Sequence, residues 1–192
     1  ELAKKIDGEI INADSMQVYK DLKILTARPL KKDCKKIKHH LYGFQSAKKS
    51  FSTGDWLKLS KKKIYEIKNR KKIPILVGGT GLYYKALVDG LVKIPVMPLT
   101  FRNKIRKLHK NLGQKKFYRQ LLKIDPIIIN QIKSTDVQRT IRAYEVKIFT
   151  KKSITKWHEE TKSDFKKNDF FKIIIDFPRS KLIEKINARS IQ

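Results

Sequence analysis

Apolar residues recur along the chain in two periods, and the change of period divides it. Ile10 and Ile11 form a short apolar strand that runs into Asp14 and Ser15. Ile73–Val77 is a continuous apolar run of the kind found in buried parallel strands. Between them, Ser52 and Asp55 resemble a capping box, and the spacing that follows predicts a helix burying Trp56, Leu59, Ile64 and Ile67. Gly78, Gly79 and Gly81 separate the second strand from a helix carrying Leu82, Tyr83, Ala86 and Leu87. Residues 41–44 are expected to add a strand, and residues 172–176 (KIIID) a buried strand that returns the chain to the sheet. The expected class is α/β with a parallel sheet.

Beyond the prolines of 92–98 the pattern is helical. Thr100 is placed to cap a helix with Phe101, Ile105, Leu108 and Leu112 inside and Gly113 after it, and Phe117, Leu121 and Leu122 mark a second. Asp125-Pro126 opens a third through residue 132, and a fourth begins near Asp136, burying Val137, Ile141, Tyr144 and Ile148. A short helix after Ser153 bears Trp157 and His158. The expected domains are an α/β core of residues 1–95 and 170–192 and a helical insert of residues 96–169. The opening ELAKKIDG reads as a helix end capped by Gly8, and SKLIEKINARSIQ as an amphipathic helix reaching Gln192 without a cap. On this reading the sequence is a piece cut at both ends.

Composition sharpens the picture. The net charge of +28 attracts phosphate backbones by counterion release, although lysines spread over every helix also describe ordinary solvated faces. The single cysteine, Cys34, excludes an internal disulfide framework and any CxxC motif, so a reducing compartment is expected. Adjacent histidines point to different sides of a regular element, which makes His39-His40 a poor metal site and a structural pair. No apolar run approaches the ~18 residues that span a bilayer. A soluble, cytoplasmic protein is expected.

Three stretches carry candidate chemistry. Asp14 closes a strand where open α/β folds bind ligands, or it simply caps the turn Met16-Gln17-Val18. The GGTG turn at 78–81 lets an anion approach a helix N-terminus, or is a tight turn for packing; it is not a Walker A loop. Gln138, Arg139, Arg142 and Glu145 share a helix face, which suits reading bases and holding phosphates, or a solvated face with an Arg142–Glu145 pair.

In unbroken order, IINADSMQVYKDLKILTARP, HHLYGF, PILVGGTGLYYKALVDGL and DVQRTIRAYEV resemble the bacterial tRNA dimethylallyltransferases, also called tRNA isopentenyltransferases, from Glu1 to about Arg189. The resemblance implies a P-loop NTPase-like core with an inserted helical lobe that grips the anticodon stem-loop of tRNA. The implied reaction transfers a dimethylallyl group from dimethylallyl diphosphate to N6 of the adenosine 3′ to the anticodon, with Mg²⁺ assistance. It casts Asp14 as general base, with Ser15, Met16 and Gln17 in the same tRNA contact. Thr80 and Arg189 fall where the family faces the leaving diphosphate, and Thr80 also meets the bound adenosine of the tRNA, so Asp14, Thr80 and Arg189 are the implied catalytic set. Arg102 and the stretch Gln138, Arg139, Thr140, Ile141 and Arg142 match tRNA-contacting positions. The adenosine must leave its stack to be reached, and a monomer is expected. Leu25 replaces the usual glycine before Thr26, and Gly81 stands where a larger residue is common. The family's phosphate-binding loop, with its Lys and Ser/Thr, falls before Glu1, so the full-length parent is expected to be active and this piece inactive. The alternatives are transfer to free adenine nucleotides and a non-catalytic basic RNA-binding remnant.

Overall fold

The computed structural model describes residues 1–191, with backbone alone at 31 and 33. It has two compact units, Glu1–Asp89 together with the segment from Ser163 onward, and Gly90–Lys162.

In the first unit, strands β1 (Gly8–Asn12), β2 (His39–His40) and β3 (Ile73–Val77) form a parallel sheet in the order β2-β1-β3. The register pairs Gly8 with Ile73 and Asn12 with Val77, so β1 and β3 end level. Helices α1 (Leu2–Lys5), α2 (Lys31–Cys34), α3 (Thr53–Asn69), α4 (Gly81–Val88) and α8 (Arg179–Ser190) belong to this unit. The capping box at the start of α3 is present: Asp55 N–H donates to Ser52 Oγ at 3.2 Å and Ser52 N–H to Asp55 Oδ2 at 2.9 Å. Trp56, Leu57, Ile64 and Ile67 are buried, and Trp56 stacks on Tyr83 of α4 with ring centroids 4.3 Å apart.

The middle of β1 carries a charge. Glu9 is 1% exposed, and its carboxylate lies 2.6 Å from His40 Nε2 and 2.8 Å from Arg70 Nη2. Burial pushes the Glu9 carboxyl up, but hydrogen bonds and charge from Arg70 and His40 outweigh it and hold it below the usual carboxylate value. The histidine pair is therefore structural, with His39 Nδ1 2.7 Å from the Ile37 carbonyl.

Residues 41–44, residues 172–176 and Gly8 depart from expectation. Residues 41–44 turn rather than extend, because Leu41 (φ 62°) and Gly43 (φ 55°) are left-handed; the strand is His39–His40. Residues 172–176 form no buried strand, and Ile173, Ile174 and Ile175 are 60%, 92% and 87% exposed. A strand needs a neighbouring ladder, and the outer edge of β3, with Ile73 and Val77 exposed, has no partner among the described residues. Gly8 starts β1 instead of capping a helix, and Asp7 (φ 48°) makes the turn. Residues 163–169 pack with the core: Ser163 Oγ donates to the Leu87 carbonyl at 2.6 Å, and Phe165 stacks on Tyr65. The unit boundaries thus fall ahead of 96 and 169. Gln192, the expected uncapped helix end, lies outside the described residues.

The second unit is helical: α5 (Leu99–Ile124), a 3₁₀ turn at Pro126–Asn130, α6 (Val137–Thr150) and α7 (Ile154–Glu159). Gly113 (φ 71°) breaks α5 in two, as the glycine suggests. Tyr118, Leu121, Ile128, Ile132 and Ala143 make its core. Thr100 lies inside α5 rather than capping it, and the expected third helix is the 3₁₀ turn. On α6 the buried residues are Thr140, Ala143, Glu145 and Val146, whereas Val137 is exposed. Polar partners turn the helix. Thr140 Oγ1 donates to the Asp136 carbonyl at 2.6 Å and accepts from Gln114 Nε2 at 3.2 Å, and Glu145 faces two arginines.

Candidate active site

β1 ends in Asn12, a fully buried side chain that folds the turn behind it. Its Oδ1 accepts from the Asp14 amide at 2.9 Å, and its Nδ2 donates to the carbonyls of Asp14 (2.9 Å) and Leu41 (3.1 Å). Trp56 Nε1 donates to the Asn12 carbonyl at 2.7 Å, fixing the strand end to α3. Asp14 follows, half-buried, at the C-terminal rim of the sheet. Its Oδ1 accepts from the amides of Met16 (2.8 Å) and Gln17 (3.3 Å), which makes residues 15–18 a turn held by an Asx contact. Among the described residues no hydrogen bond engages Asp14 Oδ2. One oxygen of this carboxylate therefore builds the turn, and the other is unengaged. Gln17 Nε2 ties the turn to the Thr26 carbonyl at 2.8 Å.

The end of β3 meets this turn directly. Gly78 lies so close that a Cβ there would stand 2.2 Å from the Ala13 carbonyl carbon and 2.6 Å from the Asp14 nitrogen. Thr80 N–H donates to the Ala13 carbonyl at 3.1 Å, and Thr80 Oγ1 accepts from the Ser15 amide at 2.9 Å. That hydroxyl is thereby committed to the turn and makes no cap bond to α4. A Cβ added at Gly79 or Gly81 would meet nothing within 4 Å, so there is open space on both sides of Thr80. Three phenols lie nearby, Tyr83 buried and Tyr42 and Tyr84 half-buried. Burial, with nearby Tyr19 and Asp14, pushes Tyr83 up to about 12, and burial likewise pushes Tyr42 up to about 12. Tyr84 is also raised by burial, and its hydroxyl donates to the Gly78 carbonyl at 3.2 Å. These phenols stay neutral at physiological pH.

Asp14, Ser15, Met16, Gln17 and Thr80 are thus brought together. Arg189 is not joined to them: it lies in the last turn of α8, a helix with no buried residue. The remaining candidates lie in the second unit. Gln138 and Arg139 are exposed, Arg139 pairs with Asp136 at 2.9 Å, and Ile141 and Arg142 are half-buried. Thr140 is buried, with its side chain facing the interior. Glu145, expected on the open face, is buried as well. Sequence reasoning missed Asn12, the residue that sets the Asp14 turn. Its signal was a polar side chain ending an apolar strand two positions before the acid.

The family model described as IPP transferase matches residues 17–192. The tRNA dimethylallyltransferase of Pelagibacter ubique (strain HTCC1062) is 61% identical over 189 residues, covering 98% of this chain and 60% of that protein. That of Rickettsia prowazekii (strain Madrid E) is 46% identical over 185 residues, covering 96% of this chain and 60% of that protein. The chain therefore spans about 60% of the length of these curated relatives. Among solved structures, a eukaryotic dimethylallyltransferase acting on tRNA superposes with a TM-score of 0.72 at 31% identity, covering 86% of this chain and 41% of that one. The tRNA delta(2)-isopentenylpyrophosphate transferase of Staphylococcus epidermidis gives 0.54 at 30% identity, covering 98% of this chain and 61% of that one. The fold class is α/β and P-loop NTPase-like, with a small parallel sheet and a helical lobe between its two core segments. By sequence over nearly its whole length and by fold, this chain belongs to the IPP transferase family.

Proposed function

We propose that the full-length protein transfers a dimethylallyl group from dimethylallyl diphosphate to N6 of the adenosine 3′ to the anticodon of tRNA, releasing diphosphate, as a monomer in the cytoplasm. The observation that carries this reading is the lock between two motifs 65 residues apart, in which the Ser15 amide donates to Thr80 Oγ1 beside a carboxylate with one oxygen unengaged. The adenine N6 amine is a weak nucleophile because its lone pair is drawn into the ring. As the N6–C bond forms and the C–O bond to diphosphate breaks, the electron pair leaves with diphosphate and the N6 proton passes to the Asp14 carboxylate. The open space beside Gly79 and Gly81 supports approach of the diphosphate to Thr80 at the head of α4. Arg189 is proposed to meet that charge. Arg102, Gln138, Arg139 and Arg142 are proposed to hold the anticodon stem-loop, which the net charge of +28 favours.

The Mg²⁺ implied by the resemblance does not fit a ligand set here. Among the described residues, no group of three or more His, Cys, Asp or Glu is placed to hold a metal ion. Its ligands are proposed to lie in the part of the relatives' length that this chain does not span. The relatives' names, and a structural neighbour acting on tRNA, favour tRNA over free adenine nucleotides. The test offers the full-length protein an anticodon stem-loop and AMP in competition, with labelled dimethylallyl diphosphate. Label on the stem-loop adenosine is expected. Label on AMP alone would establish the free-nucleotide alternative, and binding without transfer would establish the non-catalytic one.

A further inference from the structure

Glu145 is the least expected residue of the helical unit, a carboxylate 1% exposed on α6. Its Oε2 stands 3.4 Å from Arg102 Nε on α5 and 3.5 Å from Arg142 Nη1 on its own helix. Both arginine side chains are half-exposed, at 39% and 41%. Met97 Sδ lies 3.7 Å from Arg142 Nη1, and Phe101 and Phe149 join the same two helices with ring centroids 5.3 Å apart.

Burying a carboxylate is costly, and a buried ion pair repays that cost only with close, fully hydrogen-bonded geometry. This fork lacks such geometry. Glu145 Oε1 and Arg102 Nε are both buried without a hydrogen-bond partner. As a staple between helices the arrangement is poor. As an anchor it is apt, because two guanidiniums around one carboxylate leave an excess positive charge, and the half-exposed arginines can present Nη groups outward. Planar guanidiniums with free Nη groups suit phosphate oxygens, and on a chain of net charge +28 the matching partner is a nucleic-acid backbone.

We propose that Glu145 is a positioning residue, a buried carboxylate that aims Arg102 and Arg142 from two helices at phosphates of one RNA strand. The inference rests on the reading of this chain as tRNA-binding, and it adds the device that orients the two arginines.

The variant Glu145→Gln keeps the shape and removes a negative charge. If Glu145 only contributed to the surface field, E145Q would bind an anticodon stem-loop more tightly, since net positive charge rises. The proposal predicts binding about ten-fold weaker. In transfer by the full-length protein, KM rises and kcat holds. The Arg102 Nε–H NMR signal, which faces the carboxylate, is expected to stand apart from the free-arginine position in the wild type and to move toward it in E145Q. In an R102A/R142A background the same change has no further effect on binding. Should E145Q fail to fold, Arg102→Lys carries the test: it keeps the charge but loses the Nε–H facing Glu145, and weaker binding is again expected. Equal or tighter binding by E145Q, or by R102K where that substitutes, overturns the proposal. Absence of stem-loop binding by the wild type overturns the tRNA reading and this inference with it, and so separates the two failures.

Discussion

Gly78 is held to glycine by contact. With the Ala13 carbonyl carbon 2.2 Å from where a Cβ would sit, Gly78→Ala must push β3 and β1 apart. A loss of about 1–3 kcal/mol is expected, read as a lower thermal midpoint. Gly79→Ala, with nothing within 4 Å, leaves the midpoint unchanged. A second residue-scale test concerns Thr80. Thr80→Val deprives the Ser15 amide of its acceptor, so a destabilisation of about 1–2 kcal/mol is expected, with Thr80→Ser restoring most of it. An unchanged midpoint in T80V would mean that the two motifs are not locked together through that hydroxyl.

Among the elements, β1 carries a buried carboxylate whose ionisation ties stability to pH. The Glu9 carboxyl is held below its usual value of 4.5, with Arg70 and His40 outweighing the effect of burial. A depressed folded-state pKa contributes stability above the unfolded value and loses it as pH falls through the folded one. Urea unfolding should therefore show stability falling below about pH 4.5, and more shallowly in Glu9→Gln. An identical slope in E9Q would assign acid sensitivity to the other carboxylates, such as Asp55, which its Ser52 hydrogen bonds also hold low. Elements built from local signals were legible in the sequence. The Ser52 cap, the Ile73–Val77 run and the Gly113 break each act within a few residues. Elements set by distant partners were not. Glu9 recruits His40 from 31 positions away, which places β2 at the histidines instead of at the apolar residues behind them. Gln114 and Arg102 turn Thr140 and Glu145 inward, against the apolar periodicity of α6. Residues 172–176 look like a buried strand by composition, yet they lie exposed for want of a ladder.

At the scale of the whole molecule, the net charge of +28 is compatible with a phosphate-bearing partner and equally with solvated lysine faces, so composition alone does not choose between them. Nor can it say which residues would touch such a partner, because the lysines are spread over both units. A plot of log affinity for the anticodon stem-loop against log salt should be linear, its slope growing by about 0.7–0.9 for each phosphate neutralised. The neutralising variant Arg139→Gln, on the exposed face of α6, should reduce that slope by about one phosphate contact. The most direct test of the chemistry is Asp14→Asn in the full-length protein, because the amide oxygen can still accept from Met16 and Gln17 and keep the turn. Single-turnover transfer to the stem-loop adenosine should fall by about 10²–10⁴, with stem-loop affinity and thermal midpoint unchanged. Transfer by D14N within a few-fold of wild type would remove Asp14 as the base.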